Sequence, residues 1–143
     1  MLSGELQQMT AEEDRWRIYS DLAIPAKDYL NALRVRRRVQ RELDRLLAPF
    51  DALVTPTLAR VSGPVDQPFH AWSGSFDSTD IGGAANIAGI PAISIPNGFG
   101  AGELPTGLQL TGRACEENRL LHVAREYQSR TDWHQRRPPL FEE

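Results

Sequence analysis

Residues 86–112 read NIAGIPAISIPNGFGAGELPTGLQLTG, and the two apolar runs in that stretch, 92–95 and 108–111, are fenced by glycine and proline. Proline lacks an amide proton and restricts the residue before it, so neither run can grow into a helix. Short apolar runs bounded in this way read as strands buried on both faces. Residues 52–54, halted by Pro56, read as a third. PNGFGAGELPTG between the later two has the turn chemistry of a loop. Three short strands make a poor independent sheet, so an edge or face of this one should be covered by something else.

Helices are expected around these strands. Thr10 and Glu13 are placed as in a capping box, and Trp16, Ile18, Tyr19 and Leu22 supply apolar surface for a helix over 10–23. After Pro25 a long helix should span 26–47, with Val35, Val39, Leu43 and Leu46 recurring at helical spacing and Leu33 and Leu47 widening the stripe. Residues 58–79 read as a long surface loop. Asp80 is a candidate N-cap for a short helix ending at Ala88, and Gly89 is the residue expected to take positive φ after it. A last helix is expected over 116–130, with Leu120, Leu121, Ala124 and Tyr127 along one face. The tail over 131–143 should be extended, because Pro138 and Pro139 block a helix. The fold class is therefore α/β: one domain over 1–143, with a small mixed sheet of short buried strands, packed helices and an N-terminal helical extension over 1–25.

Few side chains in this pattern can break bonds. Ser73 and Ser75 lack the partner glycine of a nucleophile elbow and read as loop residues. Lys27, the only lysine, stands beside Asp28 at a helix start, where nothing favours its neutral, basic form. His70, His122 and His134 are scattered and Cys115 is alone, so no metal is expected; His122 and Glu126, one helical turn apart, read as a surface contact. GFGAG at 98–102 is followed by Glu103, not by the third glycine of a dinucleotide fingerprint, and no cofactor is expected. Arg34, Arg38 and Arg41 share a helix face. Glu42 and Asp44 are interleaved there, Arg38 can pair with Glu42, and no aromatic residues offer a base-stacking platform; nucleic acid is not an expected partner. Asp80, Gly82 and Gly83 are different, because glycines at a helix start let a substrate oxygen approach backbone N–H groups. They are the candidate substrate-binding residues, against the plainer reading of a simple cap.

The net charge of −3 and the 41% hydrophobic content describe a globular chain with no general attraction to polyanions or anionic membranes. A single cysteine fits a reducing compartment, and the polar, acidic opening MLSGELQQMTAEEDRWR is unlike a signal peptide. A cytoplasmic location and no membrane association are expected.

From Tyr29 onward the chain resembles the C-terminal third of the amidase signature family. The resemblance rests on Tyr29-Leu30-x-Ala32, Asp51-Ala52-Leu53-Val54-x-Pro56-Thr57, Asn86-x-x-Gly89-x-Pro91-Ala92-x-Ser94-x-Pro96-x-Gly98, Leu104-Pro105-x-Gly107-Leu108-Gln109 and Leu120-Leu121-x-x-Ala124. It implies a large α/β fold around a mixed sheet, and amide C–N hydrolysis by a serine nucleophile, a bridging serine and a lysine base. Those residues, with the family's Gly-Gly-Ser-Ser segment, precede the region matched, so no catalytic residue is assigned to this chain. In the tRNA-dependent amidotransferase branch an aspartate before the Asn-x-x-Gly motif helps hold glutamine. Asp80 lies near that place, with Gly82 and Ala84 where the branch has Thr and Pro. The resemblance thus implies part of an amidase, inactive alone, whose partner is an N-terminal amidase portion and whose small amide substrate binds only once the two are joined. The alternative is a non-catalytic interaction module derived from an amidase, forming a homo-oligomer.

Overall fold

A computed structural model describes residues 23–67 and 81–137, together with residue 8. The expected helix over 10–23, the later part of the 58–79 loop and Asp80 lie outside the described residues, or nearly so. The chain forms two compact units, Met1–Arg36 and Arg37–Glu143. In the first unit, Pro25 O accepts from the amides of Asp28 (2.9 Å) and Tyr29 (3.1 Å), which starts helix α1 (Ala26–Leu47). Its first turn carries Asp28 and its last turn Arg45, each matching the helix dipole.

In the second unit α1 buries Leu43 and Leu47, with Val39 half-buried one turn earlier. Val35 and Leu46, expected on the packed stripe, are exposed. The face in use therefore runs 39–43–47; the stripe contained more apolar residues than one helix face can bury. Glu42 pairs with Arg45 at 2.9 Å where a contact with Arg38 was expected.

The sheet contains β1 (Leu53–Pro56), β2 (Ala92–Phe99) and β3 (Pro105–Thr111), in the order β1-β3-β2, and both described pairings are antiparallel. β2 and β3 reach further towards each other than the apolar runs indicate. What reads as a loop is a hairpin, paired from Ala92↔Thr111 to Phe99↔Pro105 and closed by a 3-10 turn, Ala101–Glu103. Pro96 does not stop β2, because β2 is an edge strand among the described residues and its missing amide costs no ladder bond there. The register is irregular between Pro96 and Gly98, and Gly98 takes a φ of 139°. The turn uses Gly102 at φ 67° and Glu103 at φ 55°.

Side chains alternate across this sheet. Ile93, Ile95, Leu108 and Leu110 face helix α3 (Glu117–Ser129), whose Leu120 and Ala124 complete the core. Leu110 and Leu120 are each 2% exposed, and burying a leucine fully contributes about 1.5–3 kcal/mol. The short helix α2 (Ile81–Ala88) precedes β2 and ends at Gly89, whose φ of 70° meets the expectation for that position. After α3, residues 131–137 are turned and not extended: Asp132 accepts from Arg136 at 2.9 Å, and that guanidinium lies 4.4 Å from the Trp133 ring centroid. Trp133 in turn meets Phe99 edge to face, with centroids 6.4 Å apart. Among the described residues no helix is long and apolar enough to cross a membrane.

Two outcomes are expected. A Cβ on Gly112 would stand 2.9 Å from Cγ and Cδ2 of Leu120, a buried side chain with little room to withdraw. Gly112→Ala should therefore destabilise the fold by about 1–3 kcal/mol in urea unfolding; an unchanged midpoint would contradict the close approach. The hydrogen bond from Arg136 lowers the Asp132 carboxyl below its ordinary 3.8. A lowered folded-state pKa means that the contribution of this contact is complete above pH 3.8 and disappears as pH falls through the lower folded value. The Asp132 carboxyl carbon should titrate below 3.8 by NMR and move up in Arg136→Gln; a midpoint indifferent to that substitution counts against the contact.

Candidate functional site

Gly82 and Gly83 fall in the first turn of α2. Among the described residues no atom outside the helix's own neighbouring backbone lies within 4 Å of a Cβ built on Gly83. Asp80, the third member of the expected site, is outside the described residues, and no geometry joins the three. At its other end α2 is tied down: Gly89 N donates to Ala85 O at 2.8 Å, and Gln40 Nε2 of α1 donates to Ala88 O at 2.8 Å.

The sheet face opposite α3 carries hydroxyls and an amide. Register places Thr55, Gln109 and Ser94 in one row across the three strands. One step along, Thr57 N donates to Gly107 O at 2.8 Å, and Thr57 Oγ1 shares a 2.6 Å hydrogen bond with Ser94 Oγ. Gly107 makes this possible, since a Cβ there would lie 2.7 Å from Thr57 Oγ1 and 2.8 Å from Ser94 Oγ. Gln109 Nε2 donates to Thr111 Oγ1 at 3.2 Å, while Thr55 Oγ1 is buried with no hydrogen-bond partner among the described residues. Such a face can position a polar group by donating or accepting. Among the described residues no hydroxyl of this face bonds to a base. Among the described residues Ser94 bonds to a threonine and Ser129 to the Glu126 carbonyl, and Lys27 is exposed in the first turn of α1. None is paired with a base of the kind acyl transfer requires.

Two arrangements escaped the reading of the sequence. The Thr57–Ser94 contact joins residues 37 apart and depends on strand register, which no local pattern reveals. The other is a cleft between α1 and residues 88–90, lined on the helix by Arg37, Gln40, Arg41, Asp44 and Leu47. Those spacings of three and four were a legible signal of one helix face, but Arg34, Arg38 and Arg41 drew attention as a stripe in their place. Arg113 closes the cleft, donating from Nε to Asp44 at 2.9 Å. That hydrogen bond and the charge of Asp44 raise the guanidinium further above its ordinary range.

This architecture occurs in known proteins. A family profile described as Amidase matches residues 4–121. The A-subunit of glutamyl-tRNA(Gln) amidotransferase from Chloroflexus aggregans is 41% identical over 112 residues, covering 78% of this chain and 23% of that protein. Its counterpart in Methanosarcina mazei is 35% identical over 117 residues, covering 79% and 24%. The chain thus spans about a quarter of the length of these curated relatives. Among solved structures, 6-aminohexanoate cyclic dimer hydrolase superposes with a TM-score of 0.71 at 22% identity, covering 92% of this chain and 31% of its own, a likeness of fold alone. The amidotransferase A-subunit of Thermotoga maritima gives 0.54 at 30% identity, covering 86% and 28%. With the Pro-fenced strands, the Gly89 cap and the hairpin in place, the match over 4–121 identifies this chain as a member of the amidase family.

Proposed function

We propose that this chain acts as the carboxyl-terminal section of an amidase, contributing to amide C–N hydrolysis or glutamine-dependent amido transfer only together with an N-terminal portion that carries the Ser-Ser-Lys triad. The observation that carries this reading is one of proportion: 78% of the chain aligns with 23% of an amidotransferase relative, and no serine–base pair forms among the described residues. The exposed apolar side chains of Phe50, Val54 and Leu58, between 54% and 58% accessible, are surface that a larger fold would cover. In that assembly the Thr55–Gln109–Ser94 face forms one wall of the substrate channel, and Asp80, Gly82 and Gly83 contact the substrate.

The same exposed surface supports a second reading, a self-associating module without catalysis. Among the described residues β1 and β2 are the edge strands of the sheet, and each would offer its outer backbone to a second copy. Sedimentation separates the two: a stable homodimer favours the module, and a monomer that binds an N-terminal amidase portion favours the completed enzyme.

The isolated 143-residue chain is expected to release no ammonia from a simple amide. Turnover by the pure chain, blocked by a serine-directed inhibitor, would overturn this. Once the chain is joined to an N-terminal portion bearing the triad, Asp80→Asn should raise KM about tenfold or more while leaving kcat nearly unchanged, the pattern of a lost binding contact. An unchanged KM removes Asp80 from the site.

A further inference from the structure

We infer that the cleft between α1 and residues 88–90 binds a small organic anion, a carboxylate carrying a short apolar chain. The cleft measures about 320 Å³, within the range of about 300–1,000 Å³ for small-ligand sites. Leu47, Ala88, Ile90 and Ala114 line it with apolar surface, and Arg37 and Arg41 stand along its helical side.

The charges around it are unevenly satisfied. Arg113 is held by Asp44 at 2.9 Å and by Glu116 at 3.6 Å. Glu42, the other acid on this part of the helix, is held by Arg45. Arg37 and Arg41 form no ion pair among the described residues. They are one helical turn apart, a spacing at which like charges repel. The carbonyl end of α2, which would oppose an anion, is already occupied where it meets the cleft, because Ala88 O accepts from Gln40.

Two guanidiniums without an ion pair among the described residues, beside an apolar wall, select the ligand. Guanidinium binds carboxylate in a planar, bidentate way. A bare phosphate would answer the charge and leave the apolar wall unused; a neutral alcohol would do the reverse. Every residue that lines the cleft belongs to this chain, and the inference is tested on the chain alone.

The test is an NMR titration of the full chain with hexanoate, hexanol and inorganic phosphate in parallel. Hexanoate should shift the amide signals of Ala88, Gly89, Ile90 and Ala114 saturably, and the other two probes should bind at least about tenfold more weakly. Arg37→Gln with Arg41→Gln should weaken hexanoate by at least about tenfold. Both side chains are exposed, so the unfolding midpoint should stay put. The single variants, each expected to lose several-fold, decide the matter if the double variant unfolds. Hexanol binding as tightly as hexanoate, hexanoate affinity unchanged in the arginine variants, or no saturable shift would each overturn the assignment.

Discussion

The antiparallel pairing of β3 with both its neighbours is the constraint on which the rest depends. Leu110 lies between Val54 and Ile93, and Gln109 between Thr55 and Ser94. Because side chains alternate, one register sets both faces: the apolar one that receives α3 and the hydroxyl-bearing one opposite. A slip of one residue would exchange them and put Gln109 into the core. Two glycines keep that register tight. Gly107 leaves the space in which Thr57 and Ser94 meet, and Gly112 lets Leu120 settle against the backbone as β3 leaves the sheet.

Much of this was legible. Pro25 and Pro49 bracket α1, and its bounds follow from proline's missing donor and its restriction of the residue before it. Gly89 is similar, since a helix that must turn sharply into a strand needs a left-handed residue there. What could not be read was anything decided by a partner distant in sequence. Leu46 is as apolar as Leu43 and Leu47 and stays exposed while they are buried, a choice that helical spacing alone does not make. Pro96 reads as the end of a strand until that strand is seen to be an edge among the described residues, where a residue without a donor is tolerated. The hydroxyl face was present in the quoted motifs as Thr57, Ser94 and Gln109, but its residues come together only through register.

The motifs by which this chain matches its family answer needs of the backbone. The motifs that mark the family here are backbone devices: prolines at strand ends, glycines where atoms crowd, a left-handed cap. They specify how the sheet turns and packs, and an acyl-transfer site needs something else, a nucleophile held within reach of a base. Gly107 shows the distinction most clearly. It is needed for the close approach of two hydroxyls, which hydrogen-bond to each other and not to a base.

What seats the second half of α1 also decides what its arginines are free to do. Exposed ion pairs contribute little to stability, because water screens them and the long side chains must be ordered. Burial of Leu43 and Leu47, at about 1.5–3 kcal/mol for each fully buried leucine, outweighs them and holds the helix. Gln40 donates to Ala88 O, and Arg113 donates to Asp44, two contacts that tie the helix to the end of α2 and to the turn before α3. Arg37 and Arg41 take no part in that anchoring. Their positions are imposed by a helix that other residues hold in place, and both side chains line the cleft beside it.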